Sequence, residues 1–240
     1  MIKGADIFVE GASKVASKLN IPPIVIGLTI VAFGTSAPEA AISITSALSG
    51  NVDLAVGNII GSNIMNVLLI LGISGCIARL KVKKNTYRYE IPFVMVITLI
   101  LLILGKFGES IDRFDGVVLW ILFLMFLYYL YRLVKKGEEV PIDEVEEVGA
   151  KDTLLRLFIM IIIGIAAIVI GSDMTIDAAV YIAKVIGISQ RLIGLTIIAF
   201  GTSLPELVTS MTAAWKGKSD LAIGNIVGSN IFNILFVLGT

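Results

Sequence analysis

Residues 27–72 read GLTIVAFGTSAPEAAISITSALSGNVDLAVGNIIGSNIMNVLLILG, and residues 194–239 read GLTIIAFGTSLPELVTSMTAAWKGKSDLAIGNIVGSNIFNILFVLG. The two stretches align without a gap at an offset of 167, with 29 of 46 positions identical. Agreement at that level marks an internal repeat, and a repeat has to be found before single elements are assigned. Upstream the match continues more weakly, GADIFVEGA (4–12) against GSDMTIDAA (171–179).

The repeat is written in apolar surroundings. Hydrophobic residues make up 57% of the 240-residue chain and charged residues 16%, and the mean hydropathy is +0.95, beyond the range of an ordinary soluble domain. The runs IPFVMVITLILLILG (91–105), GVVLWILFLMFLYYLY (116–131) and LLRLFIMIIIGIAAIVIG (154–171) approach the roughly 20 apolar residues that a spanning helix needs. This composition describes an all-α polytopic protein in a lipid bilayer. The expected segments cover about 1–19, 22–48, 53–78, 89–105, 112–134, 153–186, 189–215 and 219–240. They fall into a first half (1–134), an acidic linker (135–152) and a second half (153–240). Segments 22–48 and 189–215 lie five crossings apart, an odd number, so the repeats run through the membrane in opposite directions.

The offset also sets an expectation about extent. Residue 153 maps to a point before Met1 and residue 134 to about 301, which implies two five-helix halves, about ten segments and about 315 residues. About eight segments are expected here, the first and eighth partial. The start, MIKGADIFVEGASKVASKL, has no basic stretch leading into an apolar core, so it reads as the tail of a helix rather than a cleavable signal peptide.

Loop charges orient the segments. Fourteen of the 19 Lys and Arg fall after the first, third, fifth and seventh segments, among them Lys14, Lys18, Lys83, Arg132, Lys135 and Lys216. The positive-inside bias then places the linker in the cytoplasm and the N-terminus outside, in a cell membrane. Lys+Arg and Asp+Glu balance at 19 each, which gives no reason to expect a nucleic acid partner. There is no histidine and Cys76 is the single cysteine, so His-based metal ligation, His proton relays and an intrachain disulfide are excluded. No nucleophile and base pair, metal triad or cofactor motif is present, so neither an enzyme nor a bound cofactor is expected. GNIIGS lacks the preceding strand and the Lys of a phosphate-binding loop.

Each repeat supplies one polar set. The first carries Thr35, Ser36, Glu39, Asn58, Ser62, Asn63 and Asn66, and the second Thr202, Ser203, Glu206, Asn225, Ser229, Asn230 and Asn233. Within GTSxPE, the proline removes a ladder hydrogen bond and frees a carbonyl about four residues earlier, near Gly34 and Gly201. Thr35 and Glu39 are four apart, so on residual helix they would share a face. No Lys, Arg or His lies within nine residues of Glu206, and an unpaired acid at membrane depth costs about 2.5–3.5 kcal/mol or more. Two such acids brought together can protonate, pair with a base or bind a cation. The glycines, Ser and Asn taken singly fit helix packing as well, but packing does not call for an acid in both halves. Carboxylates, hydroxyls, amide oxygens and freed carbonyls form an all-oxygen ligand set suited to Ca²⁺ and to Na⁺.

At these residues the chain resembles the calcium/cation antiporter superfamily, in particular prokaryotic sodium/calcium exchangers, through GTSAPE with GNIIGSNIMN and GTSLPE with GNIVGSNIFN. The resemblance covers nearly the whole chain. It implies ten helices in two inverted halves, with helices 2, 3, 7 and 8 around the ions, and Ca²⁺ and Na⁺ as substrates. It implies that Glu39 and Glu206 are central ligands, that Thr35 and Thr202 act largely through backbone carbonyls, and that the carbonyls of Ala32 and Ala199 serve flanking Na⁺ sites. Ser36, Ser203, Ser62 and Ser229 would complete those sites, with Asn66 and Asn233 in the middle. Some members have Asp where this chain has Asn233. With Asn in both halves the site holds two formal charges, and exchange of three Na⁺ for one Ca²⁺ would be electrogenic. A proton-coupled cation antiporter and a non-transporting membrane scaffold are the alternatives.

Overall fold

The computed structural model describes residues 1–107, 112–136, 147–149 and 151–240, and among these every regular element is helical. In chain order they are α1 (Ile2–Leu19), α2 (Pro23–Thr35), α3 (Ala37–Leu48), α4 (Val52–Ile77) and α5 (Thr86–Lys106), then α6 (Arg113–Lys136), α7 (Leu154–Val185), α8 (Thr196–Thr202), α9 (Leu204–Trp215) and α10 (Ser219–Val237). Five are long and apolar enough to cross a membrane singly, and α2 with α3 and α8 with α9 add two bent spans. Most of the linker, residues 137–146, lies outside the described residues.

The repeat is visible in the backbone. The chain leaves α1 through Asn20 at φ 52° and leaves α7 through Gly187 at φ 83°, two positions related by the offset of 167. Gly50 (φ 82°) and Gly217 (φ 71°), also offset mates, end α3 and α9. Left-handed backbone at a helix C-terminus turns the chain while satisfying its last carbonyls, and Gly or Asn is what tolerates it. Wider π-helical turns recur at mated positions as well, Gly27–Val31 with Gly194–Ile198 and Asn66–Ile70 with Asn233–Val237. Such turns inside α-helices are frequent at functional sites.

Two apolar clusters hold these helices. One packs Phe8 and Ala12 of α1 against Leu157, Ile161 and Ile168 of α7 and Ala213 of α9. Here backbones nearly touch: a Cβ on Gly164 would stand 2.8 Å from the Phe8 backbone, the close approach that small residues permit between membrane helices. The other joins Leu28, Ile59, Ile97, Leu119, Phe123, Ile231 and Leu235, with Phe232 stacked on Phe236 at 4.7 Å. Outward faces stay apolar, as at Leu155, Ile162, Ile163 and Ile170 of α7, which suits contact with lipid.

The loops assigned to one side by charge also meet. Lys14 lies 3.4 Å from Asp152, Lys18 donates to the Asp152 carbonyl and Lys83 pairs with Asp220. The Gly149 amide, ahead of Lys14, holds the Asp152 carboxyl below its ordinary range.

Candidate functional site

The second and seventh spans are not continuous, as the sequence had suggested. Each breaks at a serine: Ser36 has φ −83° and ψ 5°, and Ser203 has φ −89° and ψ 5°. The flanking helices are bent by 53° between α2 and α3 and by 51° between α8 and α9. Pro38 and Pro205 sit in the first turn of the following helices, where a missing N–H costs nothing but the ladder behind it cannot close. The expectation that Thr35 and Glu39 share one helical face is therefore corrected, because they lie on separate helices on either side of the break at Ser36.

Both carboxylates are buried, each 1% exposed, and they stand within interaction range of each other. The contacts across the repeat are reciprocal. Ser36 Oγ donates to Glu206 Oε1 at 2.7 Å, and Ser203 Oγ donates to Glu39 Oε1 at 3.3 Å. Behind each glutamate an asparagine of the next span braces the helix: Asn58 Nδ2 donates to Ser43 Oγ and Asn225 Nδ2 to Ser210 Oγ, both at 2.9 Å. A second reciprocal pair runs between α4 and α10, from Asn66 Nδ2 to Asn230 Oδ1 (3.0 Å) and from Asn233 Nδ2 to Asn63 Oδ1 (3.2 Å). If residue i touches j while the mate of j touches the mate of i, a pseudo-two-fold axis passes between them.

After these bonds, Oε2 of Glu39 and Glu206, Oγ of Ser62 and Ser229, and Oδ1 of Asn66 and Asn233 remain buried without a hydrogen-bond partner. They are three mated pairs, all oxygen and all from the residues singled out in the sequence. A buried acceptor without a donor is costly, by about 1–3 kcal/mol and more when charged. Cations offset that cost, and among the described residues no lysine, arginine or histidine bonds to these oxygens. Among the described residues no group of three or more His, Cys, Asp or Glu gathers, so any cation held here takes two carboxylates and neutral oxygens.

The two sides of the axis are not equally packed. A Cβ on Gly224 would stand 2.8 Å from Gly27 Cα, and one on Gly228 would stand 2.7 Å from Leu28 Cα, so α2 and α10 are in backbone contact. Their mates Gly57 and Gly61 on α4 face open space. The polar contacts differ in one bond: Thr35 Oγ1 lies 3.3 Å from its own Ala32 carbonyl and Thr202 Oγ1 3.2 Å from that of Ala199, but Thr35 Oγ1 also reaches Asn225 Oδ1 at 3.0 Å. Ala32 is buried and Ala199 exposed.

The profile of the sodium/calcium exchanger protein family matches residues 1–132 and 156–240. The chain belongs to that family. Among its relatives, CaxA of Alkalimonas amylolytica is 42% identical over 246 residues, covering 100% of this chain and 76% of that protein. The sodium/calcium exchanger MaX1 of Methanosarcina acetivorans is 30% identical, over 100% of this chain and 78% of its own. The solved structure of the sodium-calcium exchanger NCX_Mj, soaked with 2.5 mM Na⁺ and 0.1 mM Ca²⁺, superposes with a TM-score of 0.82 at 34% identity, covering 99% of this chain and 76% of that one. The family and the fold are those of transporters.

Of the residues expected from the exchanger resemblance, Glu39, Glu206, Ser36 and Ser203 meet through the reciprocal bonds above, Thr35 meets Asn225, Asn66 and Asn233 meet Asn230 and Asn63, Ser62 and Ser229 are buried with their hydroxyls unbonded, and Thr202 bonds back to Ala199. Ser43, Ser210 and Ser172 were missed. Ser43 and Ser210 carried a signal, being identical across the repeat and four residues beyond each glutamate. Ser172 carried none, because its mate is Ala5.

Proposed function

We propose that the chain is a secondary active antiporter that exchanges Na⁺ for Ca²⁺ at a site shared by Glu39 and Glu206, by alternating access. The observation that carries this reading is the pair of buried carboxylates cross-bonded to the serines of the two bends, each with one oxygen left without a partner. A Ca²⁺ ion takes six to eight oxygens at about 2.3–2.6 Å, and two carboxylates balance its charge. Na⁺ would use the same carboxylates with the hydroxyls of Ser62 and Ser229, Ser36 and Ser203, and carbonyls at Thr35, Thr202, Ala32 and Ala199. Three Na⁺ over two carboxylates leave a charge of about +1, so exchange is electrogenic.

The uneven packing supports one conformation of such a cycle. Contact is tight where α2 and α10 begin, beside the basic loops, and open where Gly57 lies. With those loops in the cytoplasm and the N-terminus outside a plasma membrane, the site is closed to the cytoplasm and accessible from outside. In reconstituted vesicles, an outward Na⁺ gradient should drive ⁴⁵Ca uptake. Uptake driven equally well by a proton gradient with Na⁺ absent would replace this reading with the proton-coupled one.

A further inference from the structure

We infer that Ser172 is a positioning residue that makes the two half-sites unequal, fixing the Gly201 carbonyl beside Thr202 on the less tightly packed side, a bond for which the half-site around Thr35 has no counterpart. The inference rests on the ion-site reading above and names a residue outside it. Pro205 has no N–H, so the carbonyl of Gly201 lacks its i+4 helical donor and has only the cap amide of Ser203 near it on its own chain segment. Ser172 Oγ, from α7, donates to that carbonyl at 3.0 Å, with Ser172 buried. Pro38 frees the Gly34 carbonyl in the same way, but the residue in the place of Ser172 is Ala5, whose methyl has nothing to donate.

Helix α7 touches both bends. A Cβ on Gly34 would stand 2.6 Å from Ile165 Cδ1, and one on Gly201 would stand 2.3 Å from Ile176 Cγ1. Ile165, Ser172 and Ile176 are spaced by seven and four residues, so they form one stripe along α7. Both bends rest on that stripe, and only the second is bonded to it. Because the Gly201 carbonyl and the Thr202 amide belong to one planar peptide, fixing the carbonyl fixes the orientation from which Thr202 offers its own oxygens. The Gly34–Thr35 peptide has no such restraint from the Ala5 position.

The test is equilibrium ⁴⁵Ca binding to the purified chain, with Na⁺ as competitor, for wild type, Ser172→Ala, Ser172→Thr and Ala5→Ser, with Glu206→Gln alongside. One lost hydrogen bond corresponds to a change of roughly threefold to tenfold. Ser172→Ala should raise the Na⁺ concentration for half-displacement by about that factor and shift Ca²⁺ affinity less than about twofold, Ser172→Thr should restore it, and Ala5→Ser should sharpen Na⁺ competition. Unchanged Na⁺ competition in Ser172→Ala, or an equal loss of Na⁺ and Ca²⁺ binding together with a lower melting temperature, overturns the inference. Ca²⁺ binding that survives in Glu206→Gln overturns the ion-site reading instead, whatever Ser172 does.

Discussion

Glu206 is a carboxylate with no base within nine residues in sequence and none bonded to it among the described residues; its Oε1 takes a hydrogen bond from Ser36, and its Oε2 has no partner there. Its mate Glu39 has the same arrangement from Ser203. That symmetry was legible in the sequence, because GTSAPE and GTSLPE stand 167 residues apart in a chain too apolar to hold an acid idly. What bonds to what was not legible. Thr35 finds Asn225 190 positions away, and such a contact depends on how α2 and α10 pack, which no local pattern encodes. At this scale Asn225 is the test of structure rather than chemistry. It is fully buried and holds Ser210 and Thr35 at once. Asn225→Ala should lower stability by about 2 kcal/mol, measured by thermal unfolding in detergent. Asn58→Ala, at the half-buried mate, should cost less; equal losses would contradict the packing difference.

Among the elements, the bends were half visible. Glycine and proline marked where the helix of segment 22–48 loosens, but the 53° angle at Ser36 comes from how α2 and α3 each pack. The π-helical turns starting at Asn66 and Asn233 left no sequence signal beyond the repeat itself. Giving the backbone its missing donor should straighten the second bend: Pro205→Ala lets the Gly201 carbonyl close the helix in competition with Ser172. We expect Ca²⁺ binding to weaken by tenfold or so while the melting temperature holds or rises. Weakened binding with a fall in melting temperature would mean that the proline serves folding. The glycine pairs make a complementary prediction. Gly228→Val places a side chain into the Leu28 backbone and should cost several kcal/mol of stability, beyond the roughly 1–3 of ordinary overpacking. Gly57→Leu meets open space, so the protein should fold and bind Ca²⁺ normally. If α4 must close on α8 in the other half of the cycle, Gly57→Leu should nonetheless abolish flux, and normal flux in that variant counts against alternating access between mated interfaces.

For the whole molecule, the repeat, the helical class and the pairing of basic loops on one side followed from composition and offset alone, since charge and hydropathy act over whole segments. The unequal closure of the two sides did not follow, because two nearly identical halves contain no instruction about which interface is packed. Even identical residues end in different surroundings: Asp220 is buried and paired with Lys83, while its mate Asp53 is exposed. Charge at the site has a consequence at this scale as well. Under the proposed exchange of three Na⁺ for one Ca²⁺, the two carboxylates leave the Na⁺-loaded site at +1 and the Ca²⁺-loaded site at zero, so the cycle would move about one charge per turnover, worth about 2.3 kcal/mol per 100 mV if it crosses the full field. A change of membrane potential imposed with K⁺ and valinomycin should therefore change Na⁺-driven ⁴⁵Ca uptake, and potential-independent uptake would refute electrogenic exchange.

The most direct measurement of the central claim is ⁴⁵Ca binding to the purified protein, with and without Na⁺, for wild type, Glu39→Gln and Glu206→Gln. The account predicts saturable binding displaced by Na⁺ in the wild type and a loss of at least about a hundredfold in affinity in either variant, because one carboxylate cannot balance the ion. Wild-type affinity retained in either variant would place the ion elsewhere and contradict the account.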